Sequence, residues 1–262
     1  MDLGIRGRKA IVAGGSAGMG RGAALALARE GVEIVLSARG ETRLRAAAAE
    51  ITNETGVQVT PVVADHATAA GRHTLLAACP EPDILIATIS PPAMTPDFRA
   101  ISEADWLASF ASGMIGPAEL MRGVVDGMAE RQFGRIVNIS TVAAKHPIEL
   151  RLLSGAARSA LANYTAVVAR RMARHNVTVN NLLPGLFLTD RLAETFAKDA
   201  AETGVDVEVL QARYIERWRI PAGRLGDPDD FGKVAALMCG AFANFIVGQN
   251  LIIDGGAATS LF

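Results

Sequence analysis

The stretch Ile11-Val12-Ala13-Gly14-Gly15-Ser16-Ala17-Gly18-Met19-Gly20 limits what this chain can fold into more than any other. An apolar strand, Lys9 to Ala13, runs into glycines at 14, 18 and 20, and then into the helix-forming run Arg21-Gly22-Ala23-Ala24-Leu25-Ala26-Leu27-Ala28-Arg29-Glu30. A tight strand-to-helix turn needs φ values that a Cβ disfavours, and bare N–H groups at the positive end of a helix suit a phosphate. The turn therefore reads as a nucleotide cradle that opens a β-α-β unit. Its Gly-x-x-x-Gly-x-Gly spacing differs from the commoner Gly-x-Gly-x-x-Gly, so the assignment rests on its place between strand and helix.

Strand and helix patterns alternate to the end of the chain, which predicts an α/β fold whose parallel sheet is covered on both faces. Further strands are expected at Glu33 to Ala38, Val57 to Ala64, Asp83 to Thr88, Gly134 to Ser140, Thr178 to Leu183 and Asn250 to Ile253, with Ser90-Pro91-Pro92 as a break after the fourth strand. One long helix is expected from Ser102 through Arg131, weakest at Gly113, Gly116 and Pro117, and an alanine-rich helix from Ser154 to His175. Residues 186 to 222 form a charged excursion of helical character that carries Phe187, Leu188, Phe196, Tyr214 and Trp218. No linker, repeat or low-complexity segment divides the chain, so a single domain over 1–262 is expected.

Composition narrows the class. The 262 residues are 50% hydrophobic, enough for one large core, and the formal net charge is −1 with no Lys/Arg run longer than two. Neither a nucleic-acid surface nor an anionic-membrane surface is expected from that charge pattern. The two cysteines, Cys79 and Cys239, are far apart and lack metal-ligand neighbours, which argues against a disulfide framework or a metal site and makes the cytoplasm the expected compartment. No apolar run has the length of a signal or a membrane span.

Taken as a set, these residues resemble the classical short-chain dehydrogenases/reductases, over nearly the whole chain. The markers are Gly14, Gly18 and Gly20; Asp65 after the third strand; Gly134-Arg135-Ile136-Val137-Asn138-Ile139-Ser140; Val179-Asn180 with Pro184-Gly185; and Arg224-x-Gly226-x-Pro228 with Gly248-Gln249 and Asp254-Gly255-Gly256. The resemblance implies a Rossmann fold with a doubly wound, seven-stranded parallel sheet, a nicotinamide dinucleotide across the strands' carboxyl ends, and commonly a homotetramer. Gly14, Ser16, Gly18, Met19 and Gly20 would wrap the diphosphate and Asp65 would accept from the adenine amino group. Arg158, Pro184, Gly185 and Thr189 also fall at cofactor-binding positions, and residues 186 to 222 fall where family members build a substrate lid. The acidic residue that selects NAD at the end of the second strand is replaced by Ser37-Ala38 and Arg39, and a guanidinium pairs with a 2′-phosphate, so NADP is favoured over NAD.

At the family's catalytic positions this chain departs from the pattern. Counting back about 30 residues from Pro184 places the family's tyrosine at Ser154 and its lysine at Arg158, the serine falls on Thr141 beside Ser140, and the asparagine falls on Gly113. Tyr164 lies ten residues past Ser154, about 280° around a helix, and so off the Ser154 face. Tyr214 fits either a residue swinging over the site or lid packing, and His146 fits either a solvated loop residue or a replacement acid titrating near neutrality. Thr141, Ser154 and Arg158 are thus the expected catalytic residues of an atypical NADP-dependent oxidoreductase acting on a small-molecule carbonyl/alcohol pair. The competing reading is a catalytically inactive dinucleotide-binding or structural subunit paired with an active relative.

Overall fold

A computed structural model of the chain describes residues 1–89 and 92–259. Ser90 and Pro91 of the expected break, and Ser260 to Phe262 of the apolar C-terminus, lie outside the described residues. The strands are β1 (Lys9–Ala13), β2 (Glu33–Ala38), β3 (Val59–Val63), β4 (Ile84–Thr88), β5 (Gly134–Ile139), β6 (Val177–Pro184) and β7 (Asn250–Ile253). They form one parallel sheet in the order β3-β2-β1-β4-β5-β6-β7, so the chain reverses its winding direction between β1 and β4. A crevice for a ligand opens at such a switch point, outside the carboxyl ends of the strands.

Two-residue periodicity along each strand divides the core between the two faces of the sheet. Ala10 and Val12 of β1, Ile84 and Ile86 of β4, and Val137 and Ile139 of β5 join one cluster. Their alternates Ile11, Ala13, Leu85 and Ile136 join the other. Helices α1 (Gly18–Arg29), α2 (Glu41–Thr55) and α9 (Pro228–Met238) cover the first face, and α3 (Ala69–Ala78), α5 (Gly116–Glu130) and α6 (Leu152–Met172) cover the second. Helices α1 and α9 touch backbone to backbone: a Cβ on Gly22 would strike the Pro228 carbonyl, and one on Gly232 would strike that of Gly22.

The expected long helix over 102–131 is instead two. Helix α4 (Glu103–Phe110), started by a capping box between Ser102 and Asp105, gives way to a π-helical turn, Ala111–Ile115, before α5 begins with Pro117 in its first turn. β3 is also shorter than expected; it is an edge strand, where Pro61 removes no ladder hydrogen bond that the sheet needs. The excursion is helical, as expected: α7 (Asp190–Thr203) and α8 (Val207–Arg217) close on a small core of their own formed by Phe196, Ile220 and Leu225 with Tyr214 and Trp218 against them.

Candidate active site

At the glycine turn the backbone itself is the wall. Gly14 sits at φ +85°, and a Cβ there would lie 2.6 Å from the Thr88 carbonyl oxygen; one on Gly20 would strike the Gly14 carbonyl. Helix α1 starts at Gly18 with no side-chain cap on Ala17 and no acidic residue in its first turn. Its first N–H groups therefore have neither an intrahelical acceptor nor a local carboxylate, the arrangement that favours a phosphate. Ser16 and Met19 flank it half-buried. The Thr88 hydroxyl is buried, has no hydrogen-bond partner, and would lie 3.0 Å from a Cβ on Gly20. An orphaned hydroxyl beside a turn kept bare of side chains fits a ligand rich in acceptor oxygens.

Thr189 and Gly18 close the turn from the lid side, since a Cβ on Gly18 would lie 3.1 Å from the Thr189 methyl. Thr189 precedes α7 with its side chain free of any capping bond. Pro184 ends β6, and Gly185 donates to the Ile253 carbonyl at 2.9 Å so closely that a Cβ would lie 2.6 Å from that of Asp254. At the other end, Ala38 pairs with Val63, which brings Arg39 and Asp65 out side by side. Arg39 is exposed and takes part in no ion pair among the described residues, and Asp65 accepts at 3.0 Å from the Ala67 N–H. His66, held below the usual imidazole range first by burial, feels both the Asp65 carboxylate and the Arg39 guanidinium.

Of the expected catalytic residues, Arg158 reaches the carboxyl ends of both β4 and β5. Arg158, 4% exposed, donates through Nη1 to the Ser140 carbonyl and through Nη2 to the Ile89 carbonyl, both at 2.8 Å. Burial first, and then the neighbouring Arg151, pushes its guanidinium down to about 10, so it remains charged at neutral pH. Ser154 is buried at 3% exposure one turn earlier on α6. Thr141 is half-buried and its hydroxyl accepts at 3.3 Å from the Ala143 N–H. The Ser140 hydroxyl beside it is buried without a partner. Gly113, in the π-helical turn, would place a Cβ 2.9 Å from that of Ala157, so an asparagine has no room there as the helices are packed.

Both tyrosines take part in packing. Tyr164 packs into the core under the sheet, in electrostatic range of Arg122 on α5. Tyr214 packs edge-on to Phe196 at 5.4 Å and beside Trp218 in the lid. His146 is half-buried and its N–H bonds the Val142 carbonyl at 2.8 Å. Sequence reasoning missed Thr88 and also Arg151, the half-buried residue that precedes α6. A cavity of about 750 Å³ lined by Leu188, Gln211, Ile215 and Arg219 lies beside α8, and Thr141, Ser154 and Arg158 do not line it. Among the described residues no helix is long and apolar enough to cross a membrane.

Residues 8–200 match the family model described as short chain dehydrogenase. An acetoacetyl-CoA reductase of Shinella zoogloeoides is 29% identical over 253 residues, 95% of this chain and 98% of its own. The NADPH-dependent reductase BacG of Bacillus subtilis (strain 168) is 27% identical over 260 residues, 97% of this chain and 99% of its own. Among solved structures, L-sorbose reductase from Gluconobacter frateurii, complexed with NADPH and L-sorbose, has a TM-score of 0.92 at 27% identity, covering 100% of both chains.

Proposed function

The chain belongs to the short chain dehydrogenase family, whose members of this type are NAD(P)-dependent oxidoreductases, and from that premise we propose that it is an NADPH-dependent reductase of a small carbonyl compound with a non-standard catalytic centre. The observation that carries the reading is Arg158: a charged guanidinium buried at the carboxyl ends of β4 and β5, in the place where the family resemblance puts a lysine. A purely structural subunit has no physical need for the phosphate-binding turn that accompanies it.

Gly14, Ser16, Gly18, Met19, Gly20 and the Thr88 hydroxyl would hold the diphosphate side of the dinucleotide, with Asp65 at the adenine and Pro184, Gly185 and Thr189 along the lid side. Arg39 favours NADPH because an exposed, unpaired guanidinium at the end of β2 meets a 2′-phosphate. When bound, the cofactor supplies a hydride to the carbonyl carbon. The protein's own part is the oxygen. Thr141 donates a hydrogen bond to it, and Arg158 stabilises the negative charge that grows on it with N–H groups left over from its two backbone bonds. Ser154 is too weak an acid to replace tyrosine; together with Thr141 it orders the water that delivers the proton.

Residues 186 to 222 serve as the lid of a single-domain protein, with α7 and α8 packed on a small core around Phe196, Ile220 and Leu225. We also propose a homotetramer in the cytoplasm. Leu107, Ile115 and Val167 leave large apolar side chains exposed on α4, the π-helical turn and α6, and both cysteines are buried and unpaired. Nicotinamide fluorescence on titrating NADPH and then NADH, followed by a carbonyl panel, tests the reading; failure to bind either dinucleotide would return it to the structural-subunit alternative.

A further inference from the structure

Two arginines of this chain are buried, and they are satisfied very differently. Arg135 donates to four backbone carbonyls, those of Gly134, Asn176, Gly240 and Ala241, and to the Asn176 side chain, and it lies 4.4 Å over the Phe133 ring. Arg158 has only its two carbonyls, which leaves three of its five N–H groups available. The half-buried arginines elsewhere are also compensated: Arg8 meets Asp83 at 3.0 Å and Arg21 meets Glu50.

Arg151 breaks that rule. It is half-buried, immediately before α6, and its guanidinium forms no ion pair or hydrogen bond among the described residues. It is the residue that precedes α6, whose first turn carries Ser154 and whose second carries Arg158. The groups acting on Arg151 are burial, the Tyr214 hydroxyl of the lid and the Arg191 guanidinium of α7; the only charged group acting on Arg158 is Arg151. Among the described residues no carboxylate acts on Arg151 or Arg158. Buried cations are ordinarily paired, and two guanidiniums held together without an anion raise each other's cost.

We propose that Arg151 seats a carboxylate of the substrate, with Arg158 adding to its field, so that the compound reduced is a small oxo acid and not a neutral carbonyl compound. This deepens the reductase reading and rests on it. Tyr214 of α8 and Arg191 of α7 also act electrostatically on Arg151. A phosphate of the dinucleotide is the other oxyanion with the right chemistry, and the experiment separates the two.

The full-length protein, saturated with NADP, is titrated calorimetrically with acetoacetate, 2-oxobutanoate and levulinate and with the methyl ester of each. The expected result is that at least one acid binds about tenfold or more tighter than its ester, the scale of one charge-assisted contact. Arg151→Met should bring that acid to the level of its ester and Arg151→Lys should restore part of the difference, with NADPH affinity held within about twofold in both. Acids no tighter than their esters in the parent would overturn the proposal. So would an Arg151→Met variant that folds, by its thermal transition, yet weakens NADPH as much as the acid, which would assign the anion to the cofactor. Reduction of neutral carbonyls with no preference for acids would sink the carboxylate seat and leave the reductase reading standing. Absence of NADPH binding would sink both.

Discussion

Gly113 and Ala157 meet so closely, across the π-helical turn and α6, that a Cβ on the glycine would lie 2.9 Å from that of the alanine. The contact fixes the spacing between the segment after α4 and the helix that carries Ser154 and Arg158. It also accounts for the missing asparagine, since that side chain and this packing exclude one another. Gly113→Asn is therefore expected to lower stability by about 1–3 kcal/mol through overpacking. Ala157→Gly in the same chain should recover part of it. Urea denaturation of the single and double variants checks this; a neutral single variant would mean that the turn yields.

Arg39 is expected to set cofactor preference. With no partner in the protein, its guanidinium is available to a 2′-phosphate, a contact worth about 1.5–3 kcal/mol. NADPH should bind about tenfold or more tighter than NADH, and Arg39→Ala should erase most of the difference while leaving NADH nearly unchanged. Equal affinities in the parent at moderate salt would remove the argument.

Thr88 provides a test of the cradle that is independent of Arg39. Its buried hydroxyl has no partner in the protein, so Thr88→Val removes an unsatisfied group at almost constant shape and should not destabilise the fold. NADPH affinity, by contrast, should fall by roughly 1 kcal/mol, the net value of a neutral hydrogen bond. A variant that loses stability and keeps its affinity would show that the hydroxyl serves the fold.

The charge on Arg158 should be visible in the pH profile. Its guanidinium, pushed down to about 10, is protonated below that value, so oxyanion stabilisation is present there and lost as pH rises through it. The alkaline limb of kcat/KM is expected to have its midpoint near 10. Stability has the opposite sign: the folded-state value lies below the ordinary guanidinium range, so the folded chain binds fewer protons than the unfolded chain from about 10 upward, and the cost of the buried charge is relieved over that window. Activity should thus fall while this group no longer destabilises the fold. His146→Gln should leave the profile unchanged from about pH 6 to pH 9 if ordered water delivers the proton. A midpoint near neutrality that disappears in that variant would reassign the proton to His146.

The sheet was legible in the sequence because its signals are local. The two-residue alternation of Ala10 to Ala13, the glycines that end β1 and the Pro-Gly that ends β6 each follow from a few neighbouring side chains. The interruption at Ala111–Ile115 was legible only as weak points, because the π-helical turn depends on Gly113 against Ala157 and Gly116 against His66, contacts between segments far apart in sequence. Thr141, Ser154 and Arg158 are expected from spacing alone, and the structure shows Ser154 and Arg158 buried on α6 with Arg158 bonded to the Ser140 carbonyl beside Thr141. In the sequence Arg151 stands seven residues before Arg158. What makes it matter is that its guanidinium forms no ion pair or hydrogen bond among the described residues, which depends on how the segments around α6 pack. The orphaned hydroxyl of Thr88 has no sequence signal at all.

The central claim is that Arg158 carries the chemistry that the family's tyrosine and lysine would otherwise share. It is tested most directly by NADPH oxidation at saturating NADPH, compared among the parent, Arg158→Met, and the double variant Ser154→Tyr with Arg158→Lys, each first checked for a folded thermal transition. The account predicts measurable carbonyl-dependent turnover in the parent, a loss of about 100-fold or more in Arg158→Met, the scale of removing one preorganised oxyanion donor, and turnover retained or raised in the double variant. A parent that binds no dinucleotide and turns over nothing, with a double variant equally inert, would contradict it.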